Sequence, residues 1–285
     1  MESAPLRAAL RPKKVKPLRV FAVSNQKGGV GKTTTTINLG AALAAVGRRV
    51  LLVDLDPQGN ASTGLGVERR QRETNSYHLL SGRASLEEAA QATASENLWV
   101  VPANSDLAGL DLEISDSPRR AHLLREALRG PEGTPAGEGP ADQRFDYVLI
   151  DSPPSLNLLT INAMTAADGV VVPLQCEFFA LEGLSQLLDT IDRVKKTLNR
   201  ALAVQGVVLT MYDRRNSLSA QVAADVREYL GGVVYETSIP RNVRLSEAPS
   251  HGKPALLYDR ACAGSQAYLR LAEEVLRRER DPVTA

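Results

Sequence analysis

The stretch LRVFAVSNQKGGVGKTTTTINLGAALAAVG, residues 18 to 47, constrains the fold more than any other part of the 285-residue chain. It opens as a continuous apolar, β-branched run and closes with apolar residues at helical spacing, joined by a glycine-rich segment. A strand running into a helix through Gly28, Gly29 and Gly31 lets the backbone take positive φ and turn several N–H groups inward, where side chains would obstruct them. Such N–H groups at a helix N-terminus form an anion nest, and the macrodipole adds to its preference for phosphate. The phosphate-loop pattern G-x-x-x-x-G-K-[ST] is met at Gly31-Lys32-Thr33, but Gln26 stands where its first glycine belongs, and a second lysine, Lys27, follows. In that pattern Lys32 reaches the β- and γ-phosphates and the Thr33 hydroxyl faces Mg²⁺. A surface turn would explain Gly-Lys-Thr alone, but not the strand before it and the helix after it.

Six further apolar runs follow: RRVLLVDLD (48 to 56), NLWVVPAN (97 to 104), FDYVLIDS (145 to 152), GVVVPLQ (169 to 175), AVQGVVLTMYD (203 to 213) and VVYETSIP (233 to 240). Continuous runs of this kind mark strands buried on both faces, as in a parallel sheet. Helical patterns lie between them; in ALEGLSQLLDTIDRVKKTLN, Leu184, Leu187, Leu188, Ile191 and Val194 form one stripe. The alternation predicts an α/β fold, a doubly wound, mostly parallel sheet with helices on both faces and ligands at the carboxyl ends of the strands.

The chain is long enough for one large or two small α/β domains, and the alternation favours one, spanning 18–280. GPEGTPAGEGPADQ (130–143) reads as a flexible surface insertion, and 281–285 as a tail. The opening MESAPLRAALRPKKVKPLR holds six basic residues and one acidic. Residues 1–17 read as a disordered, solvated leader, with a weak polyanion-binding arm as the alternative; they leave no room for a helix-turn-helix reader and lack a secretory apolar core.

Lys and Arg number 34 against 33 Asp and Glu, a net charge of +1, so any nucleic-acid contact must come from local clusters. Cys176 and Cys262 are distant and lack metal-ligand spacing, which excludes a disulfide scaffold and suits a reducing cytoplasm. No apolar run reaches membrane-spanning length.

Carboxylates gather at the expected strand ends. Asp54 and Asp56 are two apart, which on a pleated strand puts them on one side, and Asp151 closes the run YVLID. An aspartate after a hydrophobic strand holds Mg²⁺ in phosphate-loop enzymes, directly or through water. Pro57 and Gly59 after Asp56 suit a loop that senses nucleotide. Any one of these aspartates reads as a helix cap or turn former; three converging on one phosphate site do not.

Taken in order, KGGVGKTT, VDLDPQGN, DSPPS and IPRNVRLSEAPSHGKP resemble the ParA/Soj family of chromosome-partitioning ATPases, within the deviant Walker A class that includes MinD, from about Leu18 to Arg278. The resemblance implies a phosphate loop of Lys27, Gly28, Gly29, Val30, Gly31, Lys32, Thr33 and Thr34, binding ATP with Mg²⁺. By the same matching Lys27 crosses to the partner subunit's nucleotide in an ATP-sandwiched homodimer, and Lys32 serves its own. Thr33 ligates Mg²⁺, Asp54 and Asp151 hold its waters, Asp56 positions the attacking water, and Met211, Pro240 and Asn242 meet the adenine. Arg215 and Arg244 are implied as DNA contacts; without a recognition helix or aromatic platform beside them, their target is phosphate on any duplex. Composition alone reads these arginines as solvated surface charges. The implied function is ATP-dependent segregation of chromosome or plasmid origins with a ParB-type partner, in a cytoplasmic, nucleoid-associated protein with no membrane contact.

Alternatives within the class are a MinD-like or protein-cluster-positioning ATPase. A membrane-cycling helix is disfavoured because EEVLRRERDPVTA ends polar. An iron–sulfur reductase relative would need paired cysteines, and Cys176 and Cys262 do not sit in matching contexts. A scaffold that binds nucleotide without turnover is disfavoured by Lys27 and Asp56.

Overall fold

Of the seven apolar runs, six become strands in the computed structural model, which describes residues 17–177, 180–213 and 215–280. They are β1 (Arg19–Val23), β2 (Val50–Asp54), β4 (Leu98–Val101), β5 (Tyr147–Asp151), β6 (Gly169–Gln175) and β7 (Ala203–Thr210), with a two-residue strand β3 (Gln91–Ala92) that the sequence does not announce. The sheet order is β3-β4-β2-β5-β1-β6-β7, and all pairs are parallel except β3 with β4. After β5 the chain steps past β1 to start β6 on its far side, so the strand order reverses at the β5–β1 junction, where such sheets open a ligand crevice. Register brings the ends together: Val23 pairs with Asp151, and Asp151 pairs with Asp54.

Alternation along each strand divides the core between the two sheet faces. Phe21, Val23, Leu52 and Leu149 pack with Ile37 and Leu39 of helix α1 (Lys32–Ala45) and with Leu271 and Val275 of the Ala263–Arg280 helix. Val20, Ala22, Val53 and Ile150 pack with Leu159, Leu184, Leu187, Ile191 and Val222 from helices on the other face. The predicted stripe of the Ala180–Thr197 helix is the buried one, with Leu188 half-buried at its margin.

The run at 233–240 is not a strand. It touches β7 through Tyr235 N–H to Val207 O (2.8 Å) and Ile239 N–H to Leu209 O (2.8 Å), leaving only isolated bridges. Between them the N–H groups of Glu236 and Thr237 donate instead to the Glu274 carboxylate at 2.9 and 3.0 Å, which pulls the backbone off the ladder. The segment 130–143 runs as turns after the Leu123–Arg129 helix, tethered by Ala141 N–H to Leu128 O at 2.9 Å, with Ala141 buried. Leader residues 1–16 and the tail 281–285 lie outside the described residues. Among the described residues, no helix is long and apolar enough to cross a membrane.

Candidate active site

At the end of β1 the chain turns through Gly29 (φ 76°) and Gly31 (φ 89°), both left-handed; Gly28, expected to share this conformation, does not. A Cβ added at Gly28 would meet nothing within 4 Å, so the protein's own packing does not require glycine there. What a bare backbone does allow is close approach by a ligand. Gly31 caps α1 without a side-chain hydrogen bond, and the first turn of α1 carries no acid, so its donors suit an external anion. The loop is braced from three sides: Thr210 Oγ1 donates to Val30 O (2.8 Å), Asn25 Nδ2 to Pro173 O (2.8 Å), and Lys27 N–H to Asn25 Oδ1 (3.0 Å).

The two lysines diverge. Lys32, 8% exposed, donates from Nζ to Lys27 O at 3.0 Å. Burial lowers its pKa, against the pull of the Asp151 and Asp56 carboxylates, so the site favours an anionic partner for it. Lys27 turns outward, and its Nζ meets Glu177 Oε2 at 2.6 Å. Glu177 and Asn25 carried no sequence signal of their own, since both partnerships span contacts made only on folding.

Beside the loop lie two fully buried carboxylates, neighbours across β2 and β5. Asp151 accepts from the hydroxyls of Thr33 (2.7 Å) and Thr36 (3.1 Å), while Asp54 accepts from the Ser62 N–H (2.8 Å), the Ser62 hydroxyl (2.6 Å) and the Asp56 N–H (3.1 Å). Burial raises the pKa of both, and the neighbouring Asp54 charge raises Asp151 further. A pair so placed calls for a cation. Among the described residues no group of three or more His, Cys, Asp or Glu could cage a metal. Two carboxylates and the Thr33 hydroxyl instead fit Mg²⁺, which keeps several waters and leans on substrate phosphate.

Asp56 is not on the strand, so the same-side argument from pleating fails: β2 ends at Asp54, and Leu55 N–H makes one last bond to Asp151 O (3.0 Å). The chain then turns, with Gly59 N–H donating to Asp56 O (2.8 Å) and Gln58 N–H to Asp56 Oδ1 (3.0 Å). Gly59 itself is left-handed at φ 63°.

Met211, Pro240 and Asn242 share a cavity of about 140 Å³ with Gly31 and Thr34, walled also by Ile239, Leu245 and Tyr268. This recess, lined by apolar and polar side chains together, adjoins the phosphate loop. A larger cavity, about 640 Å³ between the Leu79–Leu86 region and Pro131–Pro140, contains none of the candidate residues. Arg215 and Arg244 line neither; each is held by acids. Arg215, its side chain 91% exposed, meets Asp213 through Nε and a terminal nitrogen at 3.2 Å each, and Arg244 meets Glu247 at 2.8 Å and Asp259 at 3.5 Å. Sequence reading missed these acids; Glu247, three residues after Arg244, was a readable spacing, whereas Asp213, two before Arg215, was not.

A family model described as an AAA domain matches residues 18–204. The chain is 63% identical over 265 residues to the chromosome partitioning protein ParA of Caulobacter vibrioides strain NA1000, covering 93% of this chain and 96% of that protein. It is 52% identical over 257 residues to the sporulation initiation inhibitor protein Soj of Bacillus subtilis, covering 90% and 98%. Among solved structures, a Mycobacterium smegmatis protein described as cobyrinic acid a,c-diamide synthase with bound ATP analogue and magnesium superposes with a TM-score of 0.80 at 38% identity, covering 93% and 97%.

Proposed function

The chain belongs to the ParA/Soj family of chromosome-partitioning ATPases, and from that premise we propose that it hydrolyses ATP to ADP and phosphate within an ATP-bridged homodimer that binds DNA without sequence preference. The observation that carries this reading is the divergence of the two lysines, Lys32 folded into its own loop and Lys27 directed out of it. The bound ATP analogue and magnesium of the M. smegmatis structure support ATP and Mg²⁺ as ligands here.

In this reading Mg²⁺ supplies positive charge to the β- and γ-phosphates, and Thr33, Asp54 and Asp151 are the residues that would hold it. Backbone N–H groups from Gly28 to Thr34 and the Lys32 ammonium bind the phosphates, while the recess of Met211, Pro240 and Asn242 takes the adenine. Asp56 orients the attacking water. Lys27 from each subunit serves the other's nucleotide, adding a cation where negative charge accumulates in the transition state. Dimerisation thereby completes the active site and aligns two sets of Arg215 and Arg244 for one duplex, which raises DNA affinity by linking them. A ParB-type partner that stimulates a slow basal turnover, and residence in the cytoplasm on the nucleoid, complete the proposal.

Lys32→Ala and Lys27→Ala separate the roles. Lys32→Ala is expected to abolish binding of a fluorescent ATP analogue, because the phosphates lose their own subunit's cation. Lys27→Ala is expected to retain binding but lose ATP-dependent dimerisation in light scattering, together with phosphate release. Equal loss of nucleotide binding in both variants would refute the trans role.

A further inference from the structure

Arg72 stands in the charged stretch VERRQRET, where its neighbours Arg69 and Arg70 are exposed, yet it is 4% exposed itself. Burying a guanidinium is costly unless its donors are satisfied, and among the described residues no carboxylate lies within ion-pair distance of it. Its direct partners are neutral acceptors, while the Asp54 charge supports it from beyond ion-pair distance. Nε donates to Val67 O (3.1 Å), one terminal nitrogen to Val67 O (2.8 Å) and Thr63 Oγ1 (2.7 Å), and the other to Ala103 O (3.0 Å). The planar group thus ties Ala103, 31 residues away in the chain, to the nearby Thr63 and Val67, beside the segment that follows Asp56.

The contact beneath Gly59 is closest. A Cβ built there would lie 2.2 Å from an Arg72 terminal nitrogen and 2.8 Å from Ala103 O, so only glycine lets the turn rest on the guanidinium. Gly59 N–H closes the turn on Asp56 O, Thr63 Oγ1 donates to Gly59 O, and three residues further on Ser62 fixes Asp54. Every link from Arg72 to Asp56 is therefore a direct contact or a hydrogen bond of 3.0 Å or less.

We propose that Arg72 is a positioning residue for hydrolysis, its buried guanidinium holding the turn that presents the Asp56 carboxylate to the attacking water. This rests on the role assigned to Asp56 above. It predicts that loosening the support costs turnover and spares substrate binding, since a displacement of about 1 Å at a reacting centre can cost ~100-fold in rate.

Phosphate release by the full chain with ATP and Mg²⁺ is compared for wild type, Arg72→Met, Arg72→Lys, Thr63→Val and Asp56→Ala. Rates are expressed per site titrated with fluorescent ATP analogue. Arg72→Met is expected to lower kcat by about 10-fold or more while the analogue Kd and the ATP-dependent dimer change less than about 2-fold. Arg72→Lys, a point charge unable to reach all three acceptors, is expected to fall between Met and wild type. Thr63→Val is expected to lose kcat more mildly. Should Arg72→Met fail to fold, Thr63→Val decides, and a wild-type kcat for it overturns the inference. Equal losses of analogue binding and rate in Arg72→Met would also overturn it, showing a structural role only. If Asp56→Ala itself keeps wild-type kcat, the reading of Asp56 fails, and the proposal with it.

Discussion

Lys27 is held by Glu177 at 2.6 Å, and both side chains are nearly half exposed, so their pairing is weak enough to be exchanged for a phosphate contact. Exposed ion pairs are worth at most about 1 kcal/mol. The expected outcome of Glu177→Gln is that ATP-dependent dimerisation, followed by sedimentation, reaches its midpoint at a protein concentration lower by up to about 25-fold, about 5-fold for each of the two Lys27 side chains that no longer leave a partner behind. An unchanged midpoint would show that Glu177 does not restrain Lys27. Lys32 offers no such exchange. Its ammonium is buried on the Lys27 carbonyl, so it is committed to the loop it stands in.

At the scale of elements, Arg215 stands just before the Ser217–Leu230 helix, paired with Asp213, and Arg244 stands on the Val243–Glu247 helix, paired with Glu247; both are the arginines proposed above for DNA phosphate. Hydrogen bonds from Arg215 hold the Asp213 pKa below its ordinary value, so this acid stays charged and, in the proposed DNA contact, would compete with phosphate for Arg215. Arg215→Ala with Arg244→Ala is expected to abolish DNA retention in a filter-binding titration while ATP-dependent dimerisation persists. Asp213→Asn with Glu247→Gln is expected to tighten binding to any duplex and leave the dependence on salt steep, near −0.9 in log K against log salt for each phosphate contacted. Affinity that followed sequence more than salt would contradict phosphate recognition. Weaker binding in the Asn/Gln variant would mean that the acids orient the arginines and do not compete for them.

The whole molecule is closed by the Ala263–Arg280 helix, whose Glu274 reaches across to the 233–240 segment and pairs with Arg278 at 2.8 Å. Burial opposes the charge on Glu274, but two backbone N–H groups and Arg278 overcome it and hold the pKa below the ordinary carboxylate value. A group with a depressed folded pKa stabilises above its unfolded pKa, and that stability is lost as pH falls through the folded value. Glu274→Gln is accordingly expected to cost about 2 kcal/mol near neutral pH, read as a lower urea midpoint. The gap to wild type should close as the solution is acidified below the ordinary carboxylate range. A gap that stayed constant with pH would assign the loss to packing and not to charge.

Sequence by itself determined most of the fold, because strands buried on both faces are continuous apolar runs and the helix stripes follow the 3.6-residue period, signals that need only local chain. It also determined the phosphate loop, since glycines, Lys32 and Thr33 are contiguous. The tertiary structure alone decided what depends on contacts between distant segments. The run at 233–240 is apolar enough to be a strand, yet Glu274, 37 and 38 residues away, takes its N–H groups. Asp54 and Asp151, 97 residues apart, become neighbours through the β2–β5 register; burial raises both pKa values, and the Asp54 charge raises that of Asp151 further. Arg72 stands in the charged local stretch VERRQRET. Val67 and Thr63 lie within nine residues of it, but only folding brought the Ala103 carbonyl, 31 residues away, to the other terminal nitrogen and completed the set of acceptors that a buried guanidinium needs.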